Sequence, residues 1–135
     1  MQPSSLSRPL GSALGSCELV TVVPVGGPVS LKRAELKQAA LGYNRRRDDA
    51  LARCDSDELS HLNARLILVE RGLLDPAGIP GRPWYRHLIY APKYTYAPEV
   101  LPGVAEAVDG GDAAHVAAQS ARLSAALARA AAALR

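Results

Sequence analysis

Residues 69–103 read Val-Glu-Arg-Gly-Leu-Leu-Asp-Pro-Ala-Gly-Ile-Pro-Gly-Arg-Pro-Trp-Tyr-Arg-His-Leu-Ile-Tyr-Ala-Pro-Lys-Tyr-Thr-Tyr-Ala-Pro-Glu-Val-Leu-Pro-Gly, and hold five of the chain's six aromatic residues and six of its ten prolines. Proline fixes φ and removes a backbone donor, so most of this stretch is excluded from helix interiors and central strands. It reads as one long loop that separates two helical blocks. The chain's specific chemistry is concentrated there, in Arg82, Trp84, Tyr85, Arg86, His87, Tyr90, Lys93, Tyr94 and Tyr96, and the helices look like its holder.

Before the loop, Asp55 followed by Glu58 at the third position resembles a capping box, and Leu59, Leu62, Leu66, Val69 and Leu73 then keep a three-four rhythm. That spacing predicts a helix ending between Gly72 and Asp75, where Asp75-Pro76 cannot continue it. An earlier helix is expected from Ser30 as cap to about Cys54, with Leu36, Ala40, Tyr43, Arg47, Ala50 and Cys54 on one stripe. After the loop, Pro102 suits a first helical position, and a short helix through Val104 and Val108 should break at Asp109-Gly110-Gly111. Asp112 then caps a last helix carrying Val116, Ser120, Leu123, Leu127, Ala130 and Leu134 at spacings of four and three. Its many alanines favour the helix and permit close helix approach.

The fold class read from this pattern is all-α: a bundle of three main helices with a long Pro/aromatic loop. Leu59, Leu62, Leu66, Val69, Leu73, Leu123 and Leu127 are the expected packing or dimer-forming residues. Three helices with apolar stripes make a thin bundle, so a partner or a second copy is expected to complete a four-helix arrangement. Residues 30–135 form the expected domain. Residues 1–29, rich in Ser, Gly and Pro, read as disordered or as the remnant of a neighbour, although residues 18–25 are β-branched enough for a strand.

Composition narrows the function classes. With 48% hydrophobic and 21% charged residues the chain is ordinary globular material, and Lys+Arg exceed Asp+Glu by only 16 to 13. The densest basic run, Arg45 to Arg47, is followed at once by Asp48 and Asp49, the pattern of a solvated helix face and not of a nucleic-acid track. Cys17 and Cys54 lack metal-ligand spacing. Leu14-Gly15-Ser16-Cys17 has the look of a lipoprotein cleavage box, but the apolar run before it is short and weak. The location therefore stays open, cytoplasmic as the sequence is written, and no run is long enough for a membrane span.

No His-Glu-x-x-His, Cys-x-x-Cys, Gly-x-Ser-x-Gly or phosphate-cradling loop is present. His61 and His115 fall on expected helices as surface or boundary residues. His87 is either a packed loop histidine bonded to nearby backbone or a brace for a neighbouring pocket. Lys93, Tyr94 and Tyr96 could together donate hydrogen bonds to a peptide carboxylate, or Trp84, Tyr85 and Tyr90 could anchor the loop while the other two tyrosines cover its edge.

The run from Leu73 to Pro92, with its Asp-Pro-Ala-Gly-Ile-Pro-Gly-Arg-Pro-Trp-Tyr-Arg-His core, and the run Tyr96-Ala97-Pro98-Glu99-Val100-Leu101-Pro102-Gly103 closely resemble the C-terminal helical domain of the glutamate carboxypeptidase II and transferrin receptor family. The clear resemblance spans about residues 56–108, and weaker helical similarity runs from about Ser30 to the end. It implies a homodimerisation domain that follows a zinc peptidase domain and lines the pocket for a substrate's C-terminal residue. It implies no cofactor in this chain, because the two zinc ions belong to the catalytic domain, and no catalytic residues here. By the same resemblance Tyr96 matches the pocket tyrosine. The lysine that the family places just before it is Thr95, and Lys93-Tyr94 stands two positions earlier. The implied partners are a second copy or a peptidase domain.

Overall fold

A computed structural model of the chain describes residues 27–93 and 97–135. The candidate strand at 18–25, the box at Cys17 and the loop residues Tyr94, Thr95 and Tyr96 lie outside the described residues. The elements in order are α1 (Pro28–Ala52), α2 (Ser56–Gly72), β1 (Tyr90–Pro92), β2 (Pro98–Val100), α3 (Pro102–Asp109) and α4 (Ala113–Ala133).

Helix α1 begins two residues earlier than its sequence suggests: Gly27 is the N-cap and Pro28 the first helical residue, so Ser30 lies inside the helix. Proline's fixed φ starts a helix at no cost in hydrogen bonds, because the first N–H groups have no intrahelical acceptor. The helix also ends before Cys54. Asp55 N–H bonds to Ala50 O (2.9 Å) and Cys54 N–H to Leu51 O (3.1 Å), with Cys54 left-handed at φ 55°. This is a Schellman closure with cysteine where glycine is usual. It hands the chain directly to Asp55, whose carboxylate accepts the Glu58 N–H at 3.0 Å and starts α2. Asp112 likewise caps α4, accepting from Ala114 and His115.

Helix α4 is the centre of the domain and packs against α1, α2 and α3. Leu123, Ala126 and Leu127 meet Leu88 of the loop, with Leu36, Leu73, Ile89, Leu101 and Val104 around them. A second cluster joins Tyr43, Leu62 and Leu134. The fourth side expected from a partner is thus filled in part by the chain's own loop and α3. Alanines on α4 allow this: Ala126, Ala130 and Ala131 are fully buried, and a Cβ on Gly72 would sit 3.0 Å from the backbone nitrogen of Ala130. Two arginines tie helix ends across the bundle. Arg129 donates to the Gly72 and Leu74 carbonyls at the end of α2, and Arg46 donates to Leu134 O and Arg135 O at the end of α4. Each supplies charge-assisted donors to carbonyls that a helix terminus leaves without partners.

Of the expected packing residues, Leu62, Leu123 and Leu127 are buried, and Leu59, Val69 and Leu73 are half-buried. Leu66 is not part of the core: with Ile67 and Leu68 it forms a run of three roughly half-exposed apolar side chains on α2. Heptad spacing alone placed it inward, but α2 has only the arc toward α1 and α4 covered. Among the described residues, no helix is long and apolar enough to cross a membrane.

Candidate functional site

The Pro-rich stretch is an ordered series of turns. Asp75 N–H bonds to Arg86 O (2.8 Å), Leu88 N–H to Leu73 O (3.1 Å) and Ile79 N–H to Tyr85 O (2.9 Å), so the segment folds back on itself before reaching β1. Gly78 makes this possible: its φ is +70°, and a Cβ there would meet the Pro83 carbonyl oxygen at 2.3 Å. Ile79, 1% exposed, plugs the turn from inside. Strands β1 and β2 then pair antiparallel with Tyr90 opposite Val100, Ala91 opposite Glu99 and Pro92 opposite Pro98. The long loop expected from the sequence therefore contains a short hairpin. Side chains alternate across it, so Tyr90 and Val100 face out while Ala91 and Glu99 face in.

Arg82 holds these turns together. Its Nη1 donates to Pro92 O at 2.6 Å, its Nη2 reaches Glu99 Oε2 at 3.4 Å and Glu106 Oε1 on α3, and its guanidinium lies 5.7 Å from the centre of the Tyr85 ring. Lys93 extends the network, with Nζ 2.9 Å from Glu99 Oε1 and 3.4 Å from Asp109 Oδ2. The hydrogen bond from Lys93 holds the Glu99 carboxyl below its ordinary 4.5, and the same bond raises the Lys93 ammonium above 10.5. Beside this network lies an open pocket of about 500 Å³ lined by Pro80, Arg82, Trp84, Tyr85, Lys93 and Glu106, among others.

The remaining sequence-derived residues divide clearly. His87 Nδ1 accepts the Ile89 N–H at 3.2 Å, which leaves Nε2 to donate to Glu70 Oε1 at 3.0 Å, so the ring links the loop to α2. The Tyr90 ring lies over it at 4.2 Å, although Tyr90 is itself 54% exposed. Arg86 contributes through its carbonyl, and its side chain is in solvent. Trp84 does not press the loop onto the bundle: it is 69% exposed and touches chiefly the neighbouring Tyr85 ring, at 6.2 Å between centroids. A large ring left in water at the edge of a pocket suits contact with something outside the chain. Arg46 is spent on the end of α4 and Arg47 pairs with Asp48, so the basic run on α1 forms no cationic track.

Sequence reading missed Glu99, Glu106 and Asp109, because attention to cations that bind a carboxylate passed over the carboxylates already in the chain. A signal was available: Glu106 and Asp109 are three residues apart on a short helix that follows directly on Glu99. The described residues contain no group of three or more His, Cys, Asp or Glu side chains able to hold a metal ion. His61, His87 and His115 stand on α2, the loop and α4, so the zinc implied by the family resemblance has no ligand set among them.

Comparison with known proteins agrees with this architecture. Residues 28–135 match the family model of the transferrin receptor-like dimerisation domain. Among curated relatives, "Probable glutamate carboxypeptidase LAMP1" of Arabidopsis thaliana is 48% identical over 54 residues, 38% of this chain and 8% of the relative. "Probable glutamate carboxypeptidase VP8" of Zea mays is 45% identical over 49 residues, 35% of this chain and 7% of the relative. A protein of Schizosaccharomyces pombe named as an inactive zinc metalloprotease is 43% identical over 56 residues, 41% of this chain and 7% of that protein. The matched part of the chain thus spans less than a tenth of the length of these relatives. With a helical bundle centred on α4, an Arg82-pinned loop and a family match from Pro28 to the last residue, the chain belongs to the transferrin receptor-like dimerisation domain family.

Proposed function

We propose that this chain is a helical module that brings two copies together through apolar helix faces and lends a loop rim to a zinc exopeptidase's substrate pocket, with no catalytic residues of its own. The observation that carries the reading is the family match over residues 28–135 together with Leu66, Ile67 and Leu68 left half-exposed on α2. Three consecutive large apolar side chains in water favour burial against another body, at about 25 cal/mol per Å² covered. On this reading Lys93, Tyr94 and Tyr96 face the substrate, with Arg82 and His87 bracing the loop behind them. Light scattering on the purified chain is expected to give a dimer or larger assembly, and Ile67→Lys is expected to shift it toward monomer. A wild-type monomer at high concentration, or peptidase turnover by the chain alone with bound zinc, would refute the proposal.

A second reading is favoured by one observation, the short share of each relative that the chain matches. It takes the chain as a fragment or subunit of an active zinc carboxypeptidase that hydrolyses C-terminal residues once joined to a separate catalytic domain. Mixing the chain with such a domain and assaying release of a C-terminal residue distinguishes the two: activity that appears on mixing supports the second reading.

A further inference from the structure

The pocket beside the hairpin has two cations within reach, Arg82 and Lys93, and three carboxylates, Glu99, Glu106 and Asp109, paired with them. Glu99 is the hinge of this arrangement. Its side chain is 10% exposed, one oxygen faces Arg82 and the other faces Lys93 at 2.9 Å. Among the described residues each cation faces two carboxylates, and Arg82 also donates to the Pro92 carbonyl, so both are already engaged before any anion arrives. The rest of the lining is Pro80, Trp84, Tyr85 and Pro92, which is apolar and aromatic.

From this we infer that the pocket selects against acidic side chains and takes a peptide ending in a neutral, apolar or aromatic residue, with Glu99 as the specificity-determining residue that withholds Arg82 and Lys93 from a substrate carboxylate. The inference rests on the proposal that the loop lines a substrate pocket. A second carboxylate entering here would have to break the Glu99 pairs or sit against a network of three carboxylates and two cations, and like charges at close range are disfavoured. A planar or branched apolar side chain instead covers the exposed face of Trp84 and loses no hydrogen bond in doing so.

Trp84 is the chain's single tryptophan and lines the pocket, so its fluorescence reports occupancy directly. The full chain is titrated with short peptides identical except for a C-terminal Leu, Phe or Glu. The Leu and Phe peptides are expected to perturb Trp84 at concentrations where the Glu peptide does not. Glu99→Gln frees both cations and is expected to raise affinity for the Glu peptide by about tenfold, the effect of one additional charge-assisted hydrogen bond. Asp109→Asn, on the exposed side of Lys93, gives a smaller change in the same direction without disturbing the packed turns, and covers the case in which Glu99→Gln fails to fold. Preference of the wild type for the Glu peptide, or Glu99→Gln and Asp109→Asn variants that fold yet leave the preference unchanged, overturns the inference and leaves the pocket reading intact. Failure of every peptide to perturb Trp84 overturns both.

Discussion

Replacing Arg82 by Met removes the one side chain that touches β1, β2 and α3 together: a donor to Pro92 O, a partner for Glu99 and a partner for Glu106. Exposed ion pairs are worth about 0.2–1 kcal/mol, and breaking a buried pair costs about 3–5 kcal/mol because a charge is left without a partner. Arg82 is 21% exposed, Glu99 10% and Glu106 30%, so the cost falls between those limits, at about 2–3 kcal/mol. That is a large share of the roughly 5–15 kcal/mol that stabilises a domain, so the variant should fold but melt early. Because the damage is local to the hairpin, Trp84 fluorescence should change at lower urea than the helical signal at 222 nm, whereas the two coincide in wild type. A double-mutant cycle with Glu106→Gln should show a coupling of about 1 kcal/mol or more. The reasoning fails if Arg82→Met costs under about 0.5 kcal/mol, or if the two signals still coincide.

Other outcomes follow from the same geometry. Leu62→Ala, at a position 1% exposed between Tyr43 and Leu134, should cost about 3 kcal/mol in urea denaturation. Gly72→Ala sets a helix-propensity gain of about 1 kcal/mol against a Cβ placed 3.0 Å from the α4 backbone. Since Arg129 clamps that contact, the steric term should win and lower the melting temperature; a rise would show that the helices can separate freely. Glu99 is depressed below 4.5 by Lys93, so its contribution is present above that value and is lost as pH falls through the folded-state value. Lys93 is raised above 10.5 by Glu99, so its contribution holds below 10.5 and is lost as pH rises through its folded-state value. Urea midpoints against pH should therefore fall on the acid side below about 4.5, and Glu99→Gln should make that limb shallower.

The sequence by itself determined the order and type of the helices. Asp55 and Asp112 announce their caps, the glycines and prolines near residues 76–81 and 109–111 announce the breaks, and leucines at three-four spacing announce the buried stripes. The loop motif also carried enough specificity to identify the family. These signals are local, because a cap or a proline acts within one turn of chain. What spacing could not give was the identity of the central helix, since Ala126, Ala130 and Ala131 carry no strong apolar signal and gain their role only where α1 and α2 converge. Nor could it show that Leu66 stays in water while Leu62 is sealed, which depends on which arc of α2 another element covers. The pairing of Arg82 with Glu99 and Glu106, across 17 and 24 residues, was decided by the tertiary structure alone. A charge in a sequence has no partner until folding brings one within reach, and here that partner turns a cation suited to binding a carboxylate into one already bound.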